Sequence, residues 1–563
     1  MSDRPVSRLS REDDSAANAC ADRTGSGRWH CFVAPLVITM VGLILYLPGL
    51  TWGLPGTASW SQDTIAGLRT LGVVEGWPAQ WKGRYPPLHY LILAAAYEPV
   101  QWHWQRTGQR VIDDDTGEVR LLPPHAPKIG LLILIARSIT VVMAIAAGLG
   151  LWAATRRLTQ DDTAALLAAM TLMLGAAFTY FAHLGNVDIP SMCWFAWSLY
   201  FYARALHSRK WHDCALLGLF GSLAFSTKDA IVGMYPGMAV VLLVNETNRF
   251  RKDAPLLRAL FSALWQSKWL IGLAMFILPY LIFNGVFANL DPYLTRMKYW
   301  LGITPGTLHT RQYRYPDQLR LLLATFWYAA GAVGWPMLLA MVASVLYALR
   351  RYGRTALIVL IPVVGYYVVV VAQIGFVYSR FLFAPIAMTC ILVGLAGAAL
   401  VRRREWPMAV RFGIPCMILL PSLGYTVAIN AEMLTDSRYA VETWFREHVT
   451  PPSQVGAFSK PQYLPRLSNL GYDTRGAVMA HESFDQSQPE YLILTSYNYV
   501  DFDADQRACM KDLLAGRLGY SPVVTFKGRY LSTGSSWLSL AGWGAPTPGK
   551  ISPTITILRR TVP

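Results

Sequence analysis

Charge is scarce in this chain. Of its 563 residues, 15% are Asp, Glu, Lys or Arg, against about 25% in a typical soluble domain. That scarcity, with 53% hydrophobic residues, excludes an ordinary soluble globular protein. Cysteine is sparse and scattered. The seven cysteines, at positions 20, 31, 193, 214, 390, 416 and 509, form no C-x-x-C pair, so neither a zinc site nor a disulfide framework is indicated. Walker, G-x-G-x-x-G and H-E-x-x-H motifs are absent, as is any internal repeat, which removes the motif-based nucleotide and zinc-protease readings and the repeat architectures. Basic residues are not scarce, and the formal net charge is +16. They lie in short clusters between apolar runs, which suits topology signals better than a nucleic-acid-binding face. The expectation is therefore no nucleic acid.

What is present is a series of apolar runs near the length needed to cross a bilayer. The predicted fold class is a polytopic α-helical membrane protein with a C-terminal soluble α/β domain. Residues 1–30, polar and mixed in charge, read as a disordered cytoplasmic tail. Residues 31–430 read as the transmembrane domain and residues 431–563 as the soluble one.

Lys/Arg clusters phase the spans by the positive-inside rule. The first runs outward over Cys31–Leu50, and a large outer loop, residues 51–128, follows. Within it Pro87–Val100 is too short to span and reads as a helix along the outer face. Ile129–Ala154 returns to Arg156-Arg157, and Thr163–His183 leaves again. The next span ends at Arg204, Arg209 and Lys210. Cys214–Ser226 and Ile231–Val244 form an outward and an inward pair, and Trp269–Ala288 goes out. A return ends at Arg350-Arg351, Ala356–Gln373 goes out, and the next reaches Arg402-Arg403-Arg404. Met408–Asn430 leaves the C-terminus outside. The sum is about eleven spans, with basic inner connections. In residues 431–563, helices over Arg438–Val449 and Asp503–Leu514 alternate with strands over Tyr491–Thr495, Pro522–Phe526 and Thr554–Leu558. Cys509 is expected to be reachable from outside. Gly394 and Gly397, in a wholly apolar run, are expected to let helices approach closely.

Ionisable groups beside the hydrocarbon are costly and tend to be functional. Asp63 stands alone among Trp60, Ser61, Gln62 and Thr64, at the start of the outer loop. Lys82, Arg84 and Tyr85-Pro86-Pro87 close its first half. Asp188 opens a span, Lys228 and Asp229 make a short outer turn, and Arg380 another. Each has an ordinary explanation beside the functional one. Asp63 and Asp188 sit where helix N-caps sit, Lys228 with Asp229 reads as an interfacial pair, and Arg380 as a snorkelling anchor. His183 and His309, as lone histidines, suit hydrogen-bonded structural roles. Together, however, these groups fall on one side of the membrane. Carboxylates there can supply a base, and cations can hold an anionic leaving group such as phosphate.

The order of Asp63, YPPLHY (85–90), Arg137, HLGNVDIP (183–190), STKD (226–229), SRFLFAPIA (379–387) and DSRYAVETWF (436–445) resembles a known pattern. It is that of the GT-C glycosyltransferases using a polyprenyl-phosphate sugar. Among them the chain is similar to the bacterial relatives of the protein O-mannosyltransferases and the lipid A aminoarabinose transferases. The resemblance implies an inverting glycosyl transfer in a multi-pass bacterial inner-membrane enzyme, with the N-terminus cytoplasmic and the C-terminal domain periplasmic or extracellular. It implies Asp63 as catalytic base, with Asp188 as a second catalytic acid. Arg380, Lys228 and Arg84 would bind the donor phosphate, and Trp60, Tyr85, His183 and His309 would line the substrate site. Thr64 stands where the family usually carries Glu, and a divalent metal is left open as cofactor. The implied partners are a polyprenyl-phosphate-linked sugar, an extracytoplasmic acceptor (protein, lipid A or cell-envelope glycan) and membrane lipids. A transporter or flippase for a lipid-linked anion is the competing class.

Overall fold

The computed structural model describes residues 26–57, 59–61, 63–81, 83–112, 119–208, 210–300, 316–458, 461–477, 488–496, 504–531 and 548–561. His309 and most of the N-terminal tail lie outside the described residues. The described chain is mostly helical. Among the described residues five helices are long and apolar enough to cross a bilayer: His125–Thr159, Asp229–Phe250, Gly353–Ile374, Ser379–Val401 and Met408–His448. Three bent pairs bring the number to eight if each is one crossing. Other expected spans are shorter or more polar. Trp211–Phe225 has only 15 residues, and Asp188–Ala205 is rich in Trp, Tyr and Ser.

Two expected straight spans are bent. Asp162–Met173 and Ala176–Ala182 meet at 68°, and Gln318–Val333 and Trp335–Arg351 at 117°. The second turn is made at Gly334, whose φ of 87° lies in the left-handed region open to glycine. Capping follows ordinary rules. Asp161 accepts from the Ala164 N–H at 3.0 Å and Asp317 from the Arg320 N–H at 2.7 Å, satisfying orphan donors of the first turn. Arg156 and Arg157 occupy the last turn of His125–Thr159, where the helix dipole favours cations.

Close packing rests on small residues. A Cβ placed on Gly394 would stand 2.1 Å from the Ala164 carbonyl oxygen, so helix Phe383–Val401 lies directly on Asp162–Met173, as small-residue packing in membranes requires. The basic connections gather at one end of the bundle. Arg402 pairs with Asp161 at 2.5 Å, Arg204 with Asp213 at 2.7 Å, and Arg354 donates to Asn245 at 2.7 Å.

The C-terminal region contains a five-stranded sheet in the order Asp473–Ala477, Gln454–Phe458, Tyr491–Thr495, Ile555–Arg560, Tyr520–Phe526. Its strands are β3 (Gln454–Phe458), β4 (Asp473–Ala477), β5 (Tyr491–Thr495), β6 (Tyr520–Phe526) and β7 (Ile555–Arg560). A separate hairpin joins β1 (Arg110–Ile112) to β2 (Val119–Leu121). The β3 pairings are parallel, and those of β7 antiparallel. Strand β5 is buried throughout, as a central strand covered on both faces should be. Cys509 is buried with Leu492, Leu494, Leu513 and Leu558, which corrects the expectation that it is reachable by labelling.

This region is fastened to the helices by buried polar contacts. Glu432 accepts from the backbone N–H groups of Arg529, Tyr530 and Leu531 at 2.7 to 3.1 Å. Trp52 Nε1 donates to Asp436 at 2.8 Å, and the Gly53 N–H to the Tyr439 hydroxyl at 2.8 Å. Arg438 is fully buried. It donates twice to Asp436, at 2.8 and 2.6 Å, and once to the Gln462 carbonyl at 2.8 Å. Removing one partner of a buried pair strands the other, at a cost of about 3–5 kcal/mol. Arg438→Met is therefore expected to lower thermal stability sharply. Asp436→Leu with Arg438→Met should recover part of it, since no lone charge is then left. Melting curves of the three proteins in one detergent check this.

Candidate active site

The first loop begins the site. After helix Ser26–Tyr46 the chain turns through residues 47–57, fixed to helix His125–Thr159 by Arg137. Its guanidinium donates to the carbonyls of Leu50 at 2.8 Å and Trp52 at 2.7 Å. Trp60 is clamped between the Arg438 guanidinium, 4.1 Å from the ring centroid, and the Tyr439 ring at 4.8 Å. Three residues later comes Asp63, largely buried.

Asp63 does not cap a helix. The following helix is Leu68–Val74, its N-cap is Gly67, and no side chain caps it. The carboxylate instead meets two cations. Arg380 Nη1 bonds Oδ1, and Lys550 Nζ lies 2.8 Å from Oδ2. Burial pushes the Asp63 carboxyl up, but the charges of Arg380 and Lys550 outweigh it and hold it down at about 2, below its ordinary 3.8. It is ionised at neutral pH.

Asp188 is the first residue of helix Asp188–Ala205 and likewise caps no backbone N–H. Its carboxylate bonds Lys228 Nζ through Oδ1 and accepts from Asn186 Nδ2 at 2.9 Å through Oδ2. Lys228 Nζ also lies 3.4 Å from the Arg380 carbonyl oxygen. The sequence reading paired Lys228 with Asp229. The structure separates them: Lys228 turns to Asp188, while Asp229 faces Arg296 at 3.6 Å. Asp63, Arg380, Lys228 and Asp188 thus form one chain of charges drawn from the first loop and three helix starts. The Arg380 side chain also lies beside the rings of Phe181 and Tyr378, at 5.9 and 5.5 Å.

The other candidates divide. Tyr85 lies close enough to feel the charges of Arg380, Asp188 and Asp63. Arg84 is exposed and has no polar contact with the cluster among the described residues. Trp60 is enclosed by the clamp just described. His183 is not in the cluster. It is fully buried, with Nδ1 2.8 Å from the Thr179 carbonyl and Nε2 2.7 Å from that of Pro48, so whichever nitrogen carries the proton has a backbone carbonyl to donate to. Sequence reasoning missed Lys550, which sits in an unremarkable PGKISP stretch. It also missed the anchoring roles of Asp436 and Arg438, although their motif was noted.

A cavity of about 10 Å³ lies against Asp188, Lys228, Tyr366, Arg380 and Phe381, room for one water at most. Among the described residues no three His, Cys, Asp or Glu side chains stand together as a metal would need, and Asp63 and Asp188 are each engaged by cations.

The chain was compared with known proteins. Residues 129–271 match the profile of the dolichyl-phosphate-mannose-protein mannosyltransferase family. That span includes Asp188 and Lys228 but not Asp63, Arg380 or Lys550. The match covers 143 of the 563 residues, within the region whose order of motifs resembles the GT-C glycosyltransferases. No curated protein matches the chain. Solved structures that align with it at low identity include the following three. The Archaeoglobus fulgidus oligosaccharyltransferase AglB, in complex with an inhibitory peptide and a dolichol-phosphate, is 14% identical with TM-score 0.43, covering 92% of this chain and 77% of its own. ArnT from Cupriavidus metallidurans, bound to undecaprenyl phosphate, is 13% identical with TM-score 0.44, covering 93% and 97%. The S. cerevisiae protein O-mannosyltransferase Pmt1-Pmt2 complex, bound to the sugar donor, is 12% identical with TM-score 0.33, covering 51% and 42%.

Proposed function

We propose that this chain is an integral membrane glycosyltransferase moving a sugar from a polyprenyl-phosphate carrier to an extracytoplasmic acceptor, with inversion and with Asp63 as base. The observation that carries the reading is the linked row Asp63–Arg380–Lys228–Asp188. An ionised carboxylate stands there against cations able to receive a phosphate. In the step envisaged, Asp63 takes the acceptor proton while the acceptor atom bonds the anomeric carbon. The bond from that carbon to the phosphate oxygen breaks, and its electron pair stays on the phosphate. Arg380 and Lys228 stabilise the charge that develops. Asp188 holds the Lys228 ammonium and orients it.

The competing reading is a transporter or flippase. Such proteins more often hold their charges near the midplane, at broken helices between repeated bundles. The sequence carries no internal repeat, which favours the enzyme, while the helix-start positions of Asp188, Lys228 and Arg380 suit both readings. The architecture that goes with the proposal has about eleven crossings, an inner N-terminus, and residues 431–563 as an α/β domain outside the bacterial inner membrane.

The deciding experiment supplies purified protein with a polyprenyl-phosphate sugar and cell-envelope acceptor fractions, and measures free polyprenyl phosphate. Its release supports the enzyme, whereas movement of intact lipid-linked sugar across a vesicle supports the alternative. Profiling lipid-linked sugars and surface glycans with and without the gene would name sugar and acceptor. The side of the membrane is tested separately. Lys527 is exposed at the end of β6, so Lys527→Cys should react with an impermeant thiol reagent in intact spheroplasts. Reaction only after the membrane is opened would reverse the orientation.

A further inference from the structure

Asp63 holds two cations, and the second comes from the far end of the sequence. Lys550 is no loose surface lysine. Its backbone carbonyl and that of Ile551 both accept from Arg438 Nη2 at 3.3 Å. The Ser437 N–H donates to Ser552 Oγ at 2.9 Å and the Ser437 hydroxyl to the Pro553 carbonyl at 2.6 Å. The Ile551 side chain is fully buried in the main core. Asp436 and Arg438 thus brace the short segment that carries the lysine to Asp63, where its side chain is 12% exposed. Holding a long ammonium side chain there costs rotamer entropy and hydration. A carboxylate already paired with Arg380 does not need it for its own neutralisation.

The charge count points the same way. Among the described residues Arg380, Lys228 and Lys550 stand against Asp63 and Asp188, leaving one positive charge in excess. One phosphodiester anion balances it. We infer that Lys550 is a ligand for the phosphate of the lipid-linked donor and is shared with Asp63. In the free protein Arg380 and Lys550 rest on the carboxylate, and an entering phosphate takes them from it. The inference rests on the polyprenyl-phosphate reading proposed above. It couples two events. While both cations sit on Asp63 the carboxylate is held far down and accepts protons poorly. Once the phosphate neutralises them, its basicity rises, so the base becomes effective only in a loaded site. As the sugar leaves, the phosphate gains a second negative charge, and three cations face it when that charge forms.

The test measures binding of undecaprenyl phosphate to the full-length protein in phosphatidylcholine nanodiscs, with inorganic phosphate titrated in parallel. A charge-assisted hydrogen bond contributes about 1.5–3 kcal/mol, so Lys550→Met should weaken lipid-phosphate binding about ten- to a hundredfold. Lys550→Arg should lose less, and Lys527→Met nothing. Asp63→Asn removes the competitor and should tighten binding about tenfold, an effect that a purely structural pair cannot produce and that holds even if Lys550→Met fails to fold. Unchanged affinity in both Lys550→Met and Asp63→Asn overturns the inference while wild-type binding keeps the donor reading. Absence of lipid-phosphate binding by the wild type overturns the donor reading itself. The same ranking with inorganic phosphate but not with the lipid would mark a general anion site and overturn the inference as well.

Discussion

Asp63→Asn should yield a folded protein whose sugar transfer is about 10²–10⁴-fold slower, the usual cost of losing a general base. The substitution keeps the size of the side chain and one acceptor oxygen, enough for a hydrogen bond from Arg380 or from Lys550 but not from both. It removes the negative charge and the capacity to take a proton. A capping role would predict normal activity, since Asn caps nearly as well as Asp, but Gly67 is the cap and Asp63 spans two cations instead. Transfer should be read beside melting temperature. Because its carboxyl is held at about 2, below the ordinary 3.8, Asp63 contributes stability that is fully present above about pH 4 and is lost as pH falls through about 2. Asp63→Asn should lack that acid-side loss. Asp63→Glu, which keeps the charge but displaces it by one methylene, separates charge from position: it should retain the acid-side stability term while transferring slowly. More than about half of wild-type transfer by Asp63→Asn at normal stability is far above what loss of a base permits, and would move the base to Asp188.

Much of the site was legible in the chain because intramembrane chemistry leaves few charged residues to choose among. Asp63, Asp188, Lys228 and Arg380 stood out against apolar surroundings, and the structure brings all four together. The pairing was not legible. Asp229 adjoins Lys228, yet Arg296 faces it, because the backbone at Lys228 is extended and the helical turn begins at Asp229, sending the two side chains apart. His183 looked like a substrate contact because polar residues in apolar runs invite that reading, but its ring nitrogens face two backbone carbonyls. Lys550 had no signal at all. A lysine between Gly and Ile near a chain end is ordinary until the fold of a distant segment delivers it.

The helices were found more easily than their shapes. Hydropathy marks where an apolar run begins and ends, but not the 117° bend between Gln318–Val333 and Trp335–Arg351, which depends on a single glycine conformation. Strands β5, β6 and β7 fall close to the expected segments, whereas β3 and β4 were missed. The sequence of β3, QVGAF, carries a glycine, and that of β4, DTRGA, is mostly polar, so neither shows the alternation that marks a strand. The Asp436–Arg438 anchor was missed for a related reason. Its residues look like an exposed polar helix start, and only tertiary packing makes them fully buried.

Arg380→Ala should reduce transfer about 10²–10³-fold, the cost typical of removing one donor aimed at a developing negative charge. Arg380 joins the two halves of the site, since its guanidinium bonds Asp63 while its carbonyl oxygen lies 3.4 Å from Lys228 Nζ. The substitution acts on the transition state more than on donor binding, because the phosphate gains its second negative charge only as the sugar leaves. The fall should therefore appear in kcat, with a smaller rise in KM for the donor. Arg380→Lys keeps the charge and loses the planar fork that binds two phosphate oxygens at once. Its activity should lie between wild type and Arg380→Ala. Loss of Asp63's partner also costs stability, so melting temperature must accompany each rate. Asp63→Asn with Arg380→Ala, compared with each single variant, tells catalysis from support: two residues serving one step lose less together than the product of their separate losses. Full activity in both Arg380→Ala and Arg380→Lys would leave Arg380 as a structural partner of Asp63 and transfer the phosphate contact to Lys228 and Lys550.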